Sequence, residues 1–110
     1  MRMDSRTFFE QRVSLATPRI RRALSADVVV VFHLEGPDGG SWQLTVCEDP
    51  IIGPVGPGPK DCVVQCSSED FMAILHNTLN PMDAFQTGRL QVSGDIGLLI
   101  KLRRMFLTAL

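Results

Sequence analysis

From Ile96 to Leu110 the only polar side chains are Lys101, Arg103, Arg104 and Thr108. Wound at about 100° per residue, Lys101, Arg104 and Thr108 fall on one side and most of the circumference is apolar. An ordinary surface helix carries an apolar stripe only a little over ~100° wide. This helix is therefore expected to bury one face against a core and another against something else. Before it, Gly88 opens a predicted strand with Leu90 and Val92 on one face and Arg89, Gln91 and Ser93 on the other. Gly94 ends that strand, and Asp95 is suited to cap the helix.

Earlier in the chain the periodicity alternates between the two forms. Asp4 to Leu15 reads as a helix with Phe8, Phe9, Val13 and Leu15 apolar and Arg6 and Arg12 exposed. Thr17-Pro18 is expected to break it. Pro18 suits the first turn of a second helix, with Ile20, Ala23 and Leu24 inward and Arg19, Arg21 and Arg22 outward. Val28 to Glu35 is a β-branched run, a strand expected to be covered on both faces at its centre. Gly36-Pro37-Asp38-Gly39-Gly40 is hairpin chemistry, and Trp42, Leu44 and Val46 alternate on the return. Ile51, Ile52 and Val55 form at most a short edge strand, because Pro50, Pro54, Pro57 and Pro59 exclude a central one. Cys62, Val63, Val64 and Cys66 make a further strand. Ser67-x-x-Asp70 has the pattern of a capping box for a helix facing inward with Phe71, Ile74, Leu75 and Thr78 or Leu79. Asn80-Pro81 ends that helix. The order is helix, helix, strand, strand, weak strand, strand, helix, strand, helix. A mixed α+β sheet with helices mainly on one face fits it.

Composition adds limits. At 110 residues the chain is expected to be one domain with one core. The net charge of -1 gives no bulk case for nucleic acid. The charge is nevertheless segregated: residues 1–26 carry +4, residues 27–95 carry -8 and residues 96–110 carry +3. Three cysteines, Cys47, Cys62 and Cys66, have no C-x-x-C spacing. Cys62 and Cys66 lie about 13 Å apart on an extended strand, too far for a shared metal or disulfide. Reduced, core-type thiols are expected. No apolar run approaches the ~18 residues of a membrane span. The N-terminus has no secretory apolar region, and the final Thr-Ala-Leu is not the peroxisomal Ser-Lys-Leu. A cytoplasmic location is expected.

Phe85-x-x-Gly88-x-Leu90-x-Val92-x-Gly94-Asp95-x-Gly97-Leu98, followed by Lys101-Leu102, resembles the C-terminal signature of the sterol carrier protein 2 (SCP2) sterol-binding domain. Ala26-Asp27, Gly40-x-Trp42-x-Leu44, Asp61-Cys62-Val63-Val64, Ser67-x-Glu69-Asp70-Phe71 and Pro81-Met82-Asp83-Ala84-Phe85 follow the family's order and spacing. The resemblance covers roughly Ala26 to Phe106, its downstream half being the specific one. It implies an SCP2-like α+β fold of about five strands with an apolar tunnel between sheet and helices. It implies a single lipid-binding domain over residues 1–110, with a helical segment at 1–25 and the sheet and last helix at 26–110. The proline density of residues 50–59 departs from the family pattern.

Candidate chemistry is sparse. Gly53-x-x-x-x-Gly58-Pro59-Lys60 has a phosphate-loop outline, but Pro54, Pro57 and Pro59 lack the N–H groups such a loop needs. His33 and His76 have no Ser or Cys partner that spacing alone can argue. Asp27, Asp61 and Asp95 suit turns and caps. No catalytic residue, metal site or cofactor is expected.

The positive signal is the apolar surplus. Phe32, Trp42, Phe71, Leu75, Met82, Phe85, Ile96, Leu99, Ile100, Met105 and Phe106 are the candidate tunnel residues. Arg19, Arg21, Arg22, Lys101, Arg103 and Arg104 are candidates for transient contact with an anionic membrane. The expectation is a non-enzymatic carrier of a sterol-like, fatty acid or fatty acyl ligand. The alternative is an accessory module of lipid or quinone metabolism that docks through the apolar last helix.

Overall fold

The computed structural model describes residues 4–23, 27–47 and 50–107. Leu24, Ala26 and Thr108, read above from sequence, lie outside them. The first helical segment changes its winding along its length. The Asp4 carboxylate accepts a 2.7 Å hydrogen bond from the Thr7 N–H and caps α1 (Ser5–Thr7). The chain then passes through a π-helical turn, Phe8–Arg12, and a 3-10 stretch, Val13–Ala16, into α2 (Thr17–Ala23). The expected break at Thr17-Pro18 is thus not a break. Pro18 sits in the first turn of α2, where its fixed φ suits the helix.

Five strands form one mixed sheet in the order β3-β2-β1-β4-β5. β1 (Val28–Glu35) and β2 (Gly40–Val46) make the predicted hairpin, and β3 (Ile51–Gly53) is a short edge strand on β2. β4 (Cys62–Ser67) runs parallel to β1, and β5 (Gln91–Gly94) antiparallel to β4. At the centre of β1, Val30, Val31 and Phe32 are all buried, so both faces are covered as the β-branched run predicts. The inner face meets the helices. On the outer face the proline-rich loop folds back: Gly56 N–H and Lys60 Nζ donate to Gln43 Oε1 at 3.0 and 2.9 Å. Gln43 is the cross-strand partner of Val31, so the loop shields that face.

α3 (Ser68–Leu75) starts where expected, with Ser67 Oγ accepting from the Asp70 N–H at 3.0 Å. The capping box is only half formed, because the Asp70 carboxylate pairs with Arg89 at 2.6 Å instead. A helix absent from the sequence reading follows: α4 (Pro81–Gln86), capped by Asn80 Oδ1, which accepts from Met82 and Asp83. The N–H groups of Arg89 and Leu90 then bond the Ala84 carbonyl at 2.9 and 3.0 Å. They close α4 rather than join the sheet, so β5 begins at Gln91 and not at Gly88. Asp95 Oδ1 accepts from the Gly97 N–H at 2.8 Å and caps α5 (Ile96–Phe106). One face of α5, Leu98, Leu99, Leu102 and Phe106, is buried, while Ile96 and Ile100 are half-buried and Leu107 is exposed.

Candidate functional site

The inward faces of β1, β2, α3 and α5 converge on a set of aromatic rings. Phe32 stands at the middle of the sheet, with Trp42 and Val64 as its register partners. Phe71 comes from the first turn of α3 and Phe106 from the end of α5. Between them stand Phe8 and Phe9 of the π turn. Phe9 stacks on Trp42 at 4.7 Å with an interplanar angle of 12° and on Phe71 at 5.4 Å, and meets Phe32 at 5.0 Å. Phe8 meets Phe106 edge-on at 5.2 Å and Phe9 at 5.3 Å. The only buried polar side chains among the described residues are Ser5 and Ser68. The Ser5 hydroxyl donates to the Ser68 carbonyl at 3.2 Å.

Six of the candidate tunnel residues, Phe32, Trp42, Phe71, Leu75, Leu99 and Phe106, are buried. Ile96, Ile100 and Met105 are half-buried. Met82 and Phe85 are 41% and 43% exposed on α4. Both are among the candidates only as part of the apolar surplus, and the structure sets them on the outer side of a short helix. Phe8 and Phe9 were missing from the candidate set although they fill its centre. A Phe-Phe pair on the apolar side of the first helix was the available signal.

Among the described residues two clefts open beside this interior, and residues 96–106 border neither of these two. The first, about 450 Å³, is floored by Ser5, Ser68 and Met72 and rimmed by Asp4, Pro37, Asp38 and Glu69. The second, about 330 Å³, lies between the π turn and the β2–β3 edge. Phe9, Trp42 and Ile52 give it apolar walls, with Glu10, Ser41, Gly53 and Pro54 at its rim.

The two buried thiols are held away from ionisation. Burial raises the Cys62 thiol to about 11, helped by the nearby Asp95 and Asp61 carboxylates. Burial raises Cys66 to about 12, with Asp70 and Glu35 adding to it. Both are un-ionised, inert thiols. The Thr7 backbone N–H holds the Asp4 carboxyl below its ordinary value. His33 Nδ1 and Ser41 Oγ lie 2.7 Å apart, a pair that spacing alone did not reveal. No carboxylate orients that imidazole among the described residues, so it lacks the third group of a hydrolytic triad. No group of three or more described His, Cys, Asp and Glu residues could hold a metal ion.

The six basic candidates separate into two kinds. Arg19, Arg22, Lys101 and Arg104 are exposed. Arg21 is half-buried, with Nη1 3.7 Å from Asp27. Arg103 closes the end of α3, donating to the Ile74 carbonyl at 2.9 Å and to Asn77 Oδ1 at 2.6 Å. α2 and α5 pack against each other, which makes the two basic segments neighbours.

The family profile of the SCP-2 sterol transfer family matches residues 9–107. Hydroxysteroid dehydrogenase-like protein 2 of Danio rerio is 38% identical over 81 residues, which are 70% of this chain and 19% of that protein. The chain therefore spans about a fifth of the length of that curated relative. Among solved structures, palmitated SCP2L2 from Aedes aegypti superimposes with a TM-score of 0.67 at 24% identity, covering 94% of this chain and 95% of that one. Sterol Carrier Protein-2 from Aedes aegypti in complex with palmitate gives 0.68 at 13% identity, with 100% of both chains covered. At these identities the two structures support the fold: an α+β molecule with a mixed five-stranded sheet.

Proposed function

Because this chain belongs to the SCP-2 sterol transfer family, we propose that it binds and carries a lipid with a long apolar portion, without transforming it. The observation that carries the reading is the ring-lined interior, in which Phe32, Trp42, Phe71 and Phe106 converge from four separate elements. Two structural neighbours are described as holding palmitate, which makes a fatty acyl chain the first ligand to test. Burial supplies the affinity. Sequestering about ten methylenes at ~0.8 kcal/mol each gives roughly 8 kcal/mol. Lost translational and rotational freedom offsets ~4 kcal/mol or more of it. Polar contacts to the head group then bring the net towards micromolar affinity. We read residues 1–110 as one such unit, acting in the cytoplasm. No described helix is long and apolar enough to cross a membrane.

Native mass spectrometry of the purified protein tests this reading. Lipid adducts that survive mild ionisation and disappear on delipidation are the expected result. A second reading draws on the packed interior and the half-buried Ile96 and Ile100 of α5. In it the chain is an accessory module that docks α5 on an enzyme of lipid or quinone metabolism. A protein free of lipid and indifferent to added fatty acid, yet retained by such an enzyme through α5, would decide for the second reading.

A further inference from the structure

We infer that Phe9 is the gate of the lipid site, and that an unbranched acyl chain enters through the cleft between the π turn and the β2–β3 edge by displacing that ring. The inference rests on the lipid-binding reading above and adds where the chain goes in and what stands in its way. Phe9 belongs to both spaces at once. It lines the 330 Å³ cleft, yet only 1% of its surface is exposed, because its ring continues inward to Phe32, Phe71 and Phe106 at 5.0, 5.4 and 6.3 Å. Withdrawing this one ring joins the cleft to the centre of the core. Of the other interior rings only Trp42 also walls the cleft, and it stacks on Phe9 at 4.7 Å, whereas Phe9 alone of the two meets Phe32, Phe71 and Phe106. The cleft is at the small end of ligand sites, and a flexible chain can thread into a widening gap in a way a rigid ring system cannot.

The backbone is built to let that ring move. Phe32, Trp42, Phe71 and Phe106 ride on two paired strands and two α-helices. Phe9 rides on a five-residue π turn with no side-chain cap, followed by a 3-10 stretch. Both windings are less regular than the α-helix, and π turns concentrate at functional sites. The segment is tied down on either side. Upstream, Ser5 bonds the Ser68 carbonyl and Arg6 Nη2 donates to the Gly39 carbonyl at 2.8 Å. Downstream, Val13 and Ile20 are fully buried. Rewinding residues 8–12 between these anchors turns Phe9 without unfolding the segment. The opposite wall has room: β3 is a three-residue edge strand, and a Cβ added at Gly53 would meet nothing within 4 Å.

The test is stopped-flow association of a dansyl-labelled fatty acid, with palmitate affinity measured by its displacement. Where only a fraction of molecules is open, apparent affinity falls by that fraction. Phe9→Leu and Phe9→Ala should therefore associate faster and bind palmitate about tenfold more tightly. Phe9→Leu keeps the test usable if the alanine variant folds poorly. Gly53→Trp, at the rim, should slow association about tenfold while leaving the unfolding midpoint unchanged. Phe106→Leu removes a ring of the same cluster away from the cleft and should not speed entry. Equal acceleration by Phe106→Leu would mean general loosening and overturn the gate. So would wild-type binding that is unaffected by either Phe9 variant, or a folded Gly53→Trp protein with unchanged association. If neither wild type nor any variant binds palmitate, the carrier reading itself fails and the gate falls with it.

Discussion

At the residue scale, Gly94 combines a backbone that favours glycine with no room for a side chain. Its φ is +94°, and an added Cβ would stand 2.2 Å from the Asp61 carbonyl oxygen. That carbonyl accepts the Asp95 N–H at 3.3 Å, and Asp61 exchanges hydrogen bonds with Val29 at 2.7 and 2.8 Å. Retreat from the new Cβ would thus disturb the β1–β4–β5 junction and the start of α5 together. Gly94→Val is expected to cost more than ~1 kcal/mol from strain alone. Gly53→Val, where a Cβ meets nothing, should stay within about 0.5 kcal/mol of wild type in the same denaturant titration. The buried thiols give a second prediction. Cys62 and Cys66 stay protonated in the fold to about 11 and 12, whereas a free thiol ionises near 9.0. Their folded pKa values are raised, so the stability they contribute is whole below about 9 and is lost as pH rises through the folded values. The unfolding midpoint should fall with alkaline titration over that window, less steeply in Cys66→Ala. Ellman's reagent should reach neither thiol in the native protein at neutral pH. A pH-independent midpoint across that range would remove the buried thiols from the balance.

At the element scale, the four longer strands and the caps of α3 and α5 were legible, while the start of β5, α4 with its Asn80 cap and the winding of the first helix were not. Alternation of Trp42, Leu44 and Val46 fixed the inner face of β2, and Ser67 and Asp95 each cap the helix predicted for them. α4 escaped notice because Asn80-Pro81 serves equally to end one helix and begin another. Its six residues are too few to show a period, so the pattern could not assign Met82 and Phe85 to its exposed side. The π and 3-10 windings of residues 8–16 bury Phe8, Phe9 and Val13 but leave Leu15 60% exposed, a change of phase that apolar spacing in the sequence does not reveal. Arg103 was grouped with Arg104 by composition, but the fold gives the two neighbours different tasks. Arg103 holds the Ile74 carbonyl and Asn77, the described non-glycine residue with a positive φ, 62°. Arg104 is exposed. Arg103→Ala should lower stability by about 1 kcal/mol or more through the lost hydrogen bonds, with little effect on contact with vesicles. Arg104→Ala should do the reverse. Thermal melts and vesicle sedimentation of the two variants separate these outcomes, and equal stability loss in both would show the assignment to be wrong.

At the scale of the whole molecule, the sequence implied an apolar interior but not what fills it. Alternation distinguishes two faces of a strand, not which neighbour reaches across, and here Phe8 and Phe9 arrive from a segment distant in sequence. Their presence bears on stability. An empty cavity of ~300 Å³ would cost roughly 7 kcal/mol if it did not collapse, against a total of about 5–15 kcal/mol for a domain. Rings that occupy the space when no lipid does remove most of that penalty. A ligand must then displace them, yet any ligand specific to the native state still stabilises it by mass action. Palmitate should raise the melting temperature in proportion to the logarithm of its concentration, and a midpoint indifferent to every lipid tested would count against binding. In the proposed carrier, delivery to a membrane would depend on the charge distribution. The acidic middle of the chain, -8 over residues 27–95, is flanked by basic ends. α2 packs against α5, so the helices that carry the exposed Arg19 and Arg22 and the exposed Lys101 and Arg104 are neighbours. None of these four has an ion-pair partner among the described residues. An anionic bilayer attracts such charges by ~1 kcal/mol each near its surface, over a Debye length of about 8 Å at physiological ionic strength. Transfer of a fluorescent fatty acid should be faster to anionic than to neutral vesicles and should slow in high salt. Reversing Arg19 and Arg22 to Glu should abolish the preference while leaving affinity for the fatty acid in solution unchanged. Equal transfer to both vesicle types would keep the lipid site and take the basic side out of the mechanism.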